Sequence, residues 1–280
     1  MGEHLSKLYP NMHLYAPNTN QTVELIIPDN VKKLGIHLSG GADSAILLYV
    51  LCKYIKDNNL DITVLPITSC VLAKPIMIEG TFRVTNKVRE LLNYDIPFLL
   101  DNFLYYRGRK IFKFESVANL SLLKEGVVDM IIAAGTSYAS EEELRKHNMW
   151  EDRPEWRSVE LNQSSYEYII PGNDKYFIYK PFNKVDKRFT AELYDQYGVR
   201  DTLFPVTKSC IAKFSTSNGW SKPCKTCWWC KERFWAFGAY DTERRTYLES
   251  VAKEVYAWDP ELPPDDVNEN SLKLRLANLK

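Results

Sequence analysis

At 280 residues, with 45% apolar and 26% charged side chains, the chain can bury a substantial core and has the make-up of a soluble globular protein. Lysine plus arginine equals aspartate plus glutamate at 36 each. That zero net charge argues against wholesale nucleic-acid binding, leaving room only for a local basic groove.

The predicted elements alternate along the chain. "TVELIIP" (22–28) is expected as a strand ahead of the main sheet, then "LGIHL" (34–38) as strand, 43–57 as helix, "ITVLPIT" (62–68) as strand and 79–93 as helix. "IPFLL" (96–100) is the third strand of the series, 110–126 its helix, and "VVDMIIAAG" (127–135) a fully apolar fourth strand. Residues 136–175 are polar with interleaved aromatics, the pattern of a long active-site loop. "KYFIYKPF" (175–182) reads as strand and 187–198 as a helix closed by Gly198. Buried strands alternating with helices give an α/β fold, a parallel sheet with helices on both faces. No run of about 18 apolar residues predicts a membrane span, and "MGEHLSKLYP" lacks the apolar core of a secretory signal. Gly2 and Ser6 fit the loose myristoylation pattern, but no polybasic stretch follows to support it.

Six cysteines are present, and four of them, Cys210, Cys224, Cys227 and Cys230, fall within 21 residues. Clustered cysteines without a secretory signal point to metal binding in a cytoplasmic protein rather than a disulfide framework. Cys224-x-x-Cys227-x-x-Cys230 makes one tight knuckle, and Cys210 supplies a fourth thiolate from upstream, with thirteen residues between it and Cys224. Tetrahedral zinc accepts this set, and four sulfurs close the site, making it structural. The same spacing also occurs in iron–sulfur sites.

"SGGADS" (39–44) joins the first strand of the sheet to its helix. Gly40 and Gly41 let the backbone approach an anion, and Ser39 and Ser44 add hydroxyls. Asp43 is expected as helix cap, magnesium ligand or both. On position and chemistry alone, a capped turn and an anion site stand level.

The motif resembles the SGGxDS signature of the PP-loop ATP pyrophosphatases, Rossmann-like enzymes of the adenine nucleotide alpha hydrolase type that adenylate a substrate and release pyrophosphate. The resemblance accounts for the lack of a Walker lysine, which serves γ-phosphoryl chemistry. "YKPFNKVDKRFTAELYDQYGV…KSC…PCKTCWWCKERFWAF" further resembles 7-cyano-7-deazaguanine synthase, through Pro181, Lys187, Ser209, Cys210, Pro223, Cys224, Cys227, Cys230 and Arg233. "EDRPEWRSVE" echoes a middle segment of that family.

The resemblance covers about residues 34–240 and implies a nucleotide site in which Ser39, Gly40, Gly41, Asp43 and Ser44 hold the pyrophosphate of ATP with Mg2+ near Asp43. Lys187 would lie near the phosphates, making Asp43, Ser44 and Lys187 the catalytic set, and Cys210, Cys224, Cys227 and Cys230 would hold structural Zn2+. It implies a 7-carboxy-7-deazaguanine substrate, ammonia as nitrogen donor, a nitrile product in queuosine biosynthesis and a homodimer. The implied organisation is an N-terminal extension (1–30), an ATP-binding α/β domain (31–206), a zinc module (207–240) and a helical tail (241–280).

The sequence departs from the family in the long Cys210–Cys224 gap, in "PCKTC" for "PCGxC", and in the loop after Gly135. Those departures keep other endpoints in view: an amide product, deazapurine attachment to DNA or protein, tRNA thiolation, or a nucleotide-sensing subunit without catalysis. Trp150, Trp156, Tyr138 and Phe182 are candidates to stack on a purine, with Asp152 or Glu155 accepting from its amino group. Trp228, Trp229 and Trp235 are expected to cover the metal knuckle or line an interface. Glutamine-fed amidation is not expected, since no amidotransferase segment precedes the loop and residue 2 is glycine.

Overall fold

The computed structural model describes residues 12–71, 76–97, 103–106, 121–137, 139–154, 165–169, 175–210 and 221–243. Strands β1 (Met12–Ala16) and β2 (Gln21–Leu25) form an antiparallel hairpin. The main sheet holds β3 (Lys33–His37), β4 (Thr63–Val71), β5 (Phe103–Tyr106), β6 (Met130–Ile132), β7 (Ser165–Ile169) and β8 (Lys175–Tyr179), in the order β5-β4-β3-β6-β8-β7. All neighbours run parallel except the β7–β8 edge pair. Counted along the chain, the five parallel strands stand 3-2-1-4-5, the doubly wound Rossmann-like order. Its reversal falls between β3 and β6, and such folds bind ligands beyond the strand ends at that point.

Helix α1 (Ala42–Asp57) is apolar nearly all round, because it packs beneath the sheet between α2 (Ile76–Leu92) and α4 (Lys187–Gln196). The core divides by strand alternation. Leu34, Ile36, Val64 and Ile132 face α1, whereas Leu65, Ile67 and Ile131 face the other side with Val128 and Ile178. Asp186 caps α4 by accepting from the Arg188 N–H at 2.8 Å, and Gly198 closes the helix at φ +64°. Two further helices are α3 (Glu141–Lys146), between β6 and β7, and α5 (Trp228–Phe237), after the last strand. None of the helices among the described residues is long and apolar enough to cross a membrane.

Three expectations are corrected. Of "IPFLL", Ile96 and Pro97 lie outside any strand and residues 98–100 fall outside the described residues; the partner of β4 is Phe103–Tyr106. Ile96 is apolar because it fills the core behind α2, and Pro97 has no N–H to give a ladder. The fourth strand is only Met130–Ile132; Val127 and Val128 are apolar for packing, not pairing. β8 stops at Tyr179 because Pro181 opens a tight 3-10 turn. The expected 110–126 helix is seen at residues 121–124, and its remainder up to 120 lies outside the described residues, as does the tail beyond 243.

The strand expected at 22–28 ahead of the main sheet is β2, ending at Leu25, and it pairs in the hairpin. That hairpin contributes Leu14, Ala16, Val23 and Leu25 to the main core. Its turn is gripped by Glu192 of α4, whose carboxylate accepts from the Asn18 and Thr19 N–H groups at 2.8 and 2.9 Å. The first thirty residues thus include part of the central packing.

Candidate nucleotide site and metal centre

The 39–44 loop sits at the carboxyl end of β3, beside the switch point. Gly40 adopts φ +73°, and a Cβ there would lie 2.7 Å from both Cα and C of Gly80 in α2. Two glycine backbones touch, so neither position has room to spare. A lone glycine inside a helical pattern was the available signal for Gly80. Ser39 Oγ accepts from the Gly41 N–H at 3.3 Å and lies 3.2 Å from Ser44 Oγ, which donates to the Gly41 carbonyl at 3.2 Å.

The N-cap of α1 is Gly41, with no side-chain cap, and Asp43 falls inside the first turn. The expectation of Asp43 as the cap is therefore corrected by two positions. A glycine cap leaves the first-turn N–H groups facing the space beyond the loop, an arrangement suited to an anion.

Asp43 instead gathers three partners, two from α4 and one from the turn after β6. Thr190 Oγ1 donates to Oδ1 at 2.9 Å, Thr136 Oγ1 to Oδ2 at 3.3 Å, and Lys187 Nζ stands 3.1 Å from Oδ2. Thr136 follows β6, so the cluster spans both sides of the switch point. Lys187 opens α4, as expected from sequence, but it is buried, and its Nζ also lies 2.9 Å from Glu232 of α5. Thr136, Thr190 and Glu232 escaped the sequence reading. Nothing local marks a threonine or glutamate as facing a lysine from another element.

The four cysteines come together, with all Sγ atoms within 4.8 Å of one another and Cys224 to Cys230 at 3.9 Å. Four ligands placed tetrahedrally at about 2.3 Å from one ion stand about 3.8 Å apart, so the set fits a metal ion. The Cys224 N–H donates to Cys210 Sγ and the Cys227 N–H to Cys224 Sγ, each at 3.3 Å, which favours charged sulfur. Hydrogen bonds from Cys210 and Cys230 pull the Cys227 thiol down to about 4, while the same cluster, through Cys210 and Cys227, pushes Cys230 up. Four thiolates this close repel, and a cation between them relieves that repulsion. Lys225 sits at φ +62°, a left-handed position that suits glycine, so the knuckle turn of "PCKTC" carries a conformational cost.

Helix α5 ties this centre to the loop. Its Arg233, fully buried, donates to Thr207 Oγ1 at 2.8 Å and Ser209 Oγ at 3.1 Å, and pairs with Asp241 at 3.1 Å. Burial lowers the Arg233 pKa and the Asp241 charge opposes that shift. Asp241 accepts from the Ser209 and Cys210 N–H groups at 2.9 and 2.7 Å, fixing the entry to the first cysteine. In the same segment the Lys208 N–H donates to the Gly40 carbonyl at 2.8 Å, so the glycine loop and Cys210 are two residues apart along one braced stretch.

Phe182 is fully buried and packs edge-on against Phe189, with ring centroids 5.6 Å apart, so its expected role against a purine is corrected to core packing. Trp150 is covered by the Arg153 guanidinium at 3.6 Å, and Asp152 pairs with Lys231 of α5. Trp228, Trp229 and Trp235 pack against Ala139, Leu144 and Met149, clamping the 139–150 segment onto the cysteine module. Tyr138, Glu155 and Trp156 lie outside the described residues.

No protein-family model matches the sequence, and no curated relative matches it. Among solved structures, the U34-tRNA thiolase of Methanococcus maripaludis with its 4Fe-4S cluster is similar at 13% identity over 83% of this chain and 76% of that one, TM-score 0.39. The NAD+ synthetase of Burkholderia pseudomallei is similar at 11% identity over 88% and 82%, TM-score 0.35. The NMN synthetase of Francisella tularensis is similar at 10% identity over 83% and 91%, TM-score 0.37.

Proposed function

We propose that this chain is an ATP-dependent carbon–nitrogen ligase that adenylates a carboxylated 7-deazaguanine at the 39–44 loop. Ammonia then carries the acyl adenylate to the amide and on to the nitrile. The observation that carries the reading is the convergence of Lys187, Thr190 and Thr136 on Asp43, beside a glycine-capped helix start at the sheet's switch point. The identity of the acceptor rests on the resemblance of Pro181, Lys187 and the cysteine set to the deazaguanine synthases.

In this scheme the substrate carboxylate attacks the α-phosphorus, and the α–β bridging bond breaks to release pyrophosphate. The first-turn N–H groups of α1 and the hydroxyls of Ser39 and Ser44 hold the leaving group, and Lys187 offsets charge developing at the α-phosphate. Asp43 would hold Mg2+, which neutralises pyrophosphate charge. Ammonia displaces AMP from the acyl carbon. The amide oxygen then attacks the α-phosphorus of a second ATP, expelling a second pyrophosphate, and loss of AMP with two N–H protons leaves the nitrile.

The four cysteines would hold one Zn2+ in a structural role, since four sulfurs leave no open position. The protein works in the cytoplasm as a homodimer. The test is pyrophosphate release with ATP, 7-carboxy-7-deazaguanine and ammonium, with mass analysis of products. Acid-dependent release and the nitrile mass are expected. No release rejects the acceptor, and an amide without nitrile restricts the enzyme to its first cycle.

A further inference from the structure

We propose that Glu232 is a positioning residue of the nucleotide site, through which the metal module sets the place of Lys187. The inference rests on the reading that the 39–44 loop takes ATP. Glu232 lies two residues beyond Cys230 on α5, with its side chain 2% exposed. Its Oε2 is 2.9 Å from Lys187 Nζ, whose side chain is 5% exposed and lies 3.1 Å from Asp43. The ammonium is thus held between one carboxylate from the loop helix and one from the metal-binding helix.

The two partners have unequal duties. Asp43 keeps 19% of its side chain exposed at the mouth of the loop, where Mg2+ and nucleotide compete for its charge. Glu232 is shut away from that competition and holds Lys187 while Asp43 is otherwise engaged. The neighbouring Arg233 faces Thr207, Ser209 and Asp241, so consecutive charged residues of α5 brace the loop from two sides. The helix that Cys227 caps and Cys230 anchors delivers Glu232 to Lys187.

The test is a double-mutant cycle in the full, metal-loaded protein. Glu232→Gln, Lys187→Met and the double variant are compared for Mg2+·ATP affinity by calorimetry, alongside metal content and Tm. Glu232→Gln should keep its metal and weaken ATP about tenfold; the double variant should bind no more weakly than Lys187→Met alone, because Glu232 acts through that lysine. Losses that multiply in the double variant, or wild-type affinity in Glu232→Gln, overturn the inference and leave the ATP site standing. A wild-type protein that binds no ATP overturns both. If the glutamine variant does not fold, Glu232→Asp keeps the charge but withdraws it by one methylene. Its expected loss is smaller and likewise vanishes in the Lys187→Met background; a loss that persists there refutes the inference.

Discussion

Replacing Gly40 by alanine tests the closest backbone contact in the site. The left-handed φ of +73° costs an L-residue about 1–2 kcal/mol. The new methyl would stand 2.7 Å from two backbone atoms of Gly80 and 3.0 Å from the Thr81 nitrogen, so it cannot be accommodated by turning a side chain. Forcing such overpacking costs about 1–3 kcal/mol. The strain spreads, because Thr81 Oγ1 donates to the Leu38 carbonyl at 2.9 Å, just before the loop. A total of about 2–5 kcal/mol corresponds to a Tm fall of roughly 5–15 °C for a chain of this size. Gly198→Ala is the control: φ is +64°, but nothing lies within 4 Å of the added methyl, so only the conformational cost of about 1 kcal/mol applies. Calorimetric melting and Mg2+·ATP titration on both variants should show a small Tm loss with normal binding for Gly198→Ala, and a larger loss with binding abolished for Gly40→Ala. Equal Tm losses with ATP affinity retained would refute the claim that the loop depends on this contact.

Asp43→Asn should abolish pyrophosphate release while circular dichroism stays native; turnover in that variant would remove Asp43 from the mechanism. Lys225→Gly relieves the left-handed knuckle residue and should raise stability by about 1 kcal/mol, read as a Tm increase of about 2–4 °C. Arg233→Met strands Asp241 without its cation and should cost about 3–5 kcal/mol, with metal lost more readily on dialysis; an unchanged melt would contradict the bracing role. A strong chelator at neutral pH should expose four cysteines to a thiol reagent, whereas Cys52 stays inert until global unfolding because it is buried and its thiol is pushed up by burial.

The sheet was largely legible because β3 and β4 are buried on both faces and their helices carry a separate period. "IPFLL" shows the limit of that signal: a short apolar run marks burial, and Ile96 is buried without being a strand. The glycine loop and the cysteine knuckle were readable because their chemistry needs particular residues at fixed spacing. Helix-start register was harder, and Asp43 proved to lie two positions inside the cap. Phe182 misled because an aromatic residue type does not say which way its ring faces; it turns inward onto Phe189. The pairing of Lys187 with Glu232 had no sequence signature, since it arises only when α4 and α5 pack together.

The fate of ATP tests the account most directly. Nucleotide products should be resolved chromatographically after turnover with a carboxylated deazaguanine and ammonium. Cleavage at the α-phosphate predicts AMP and pyrophosphate in equal amounts, with formation of both lost in Asp43→Asn. ADP and orthophosphate as the products would contradict it.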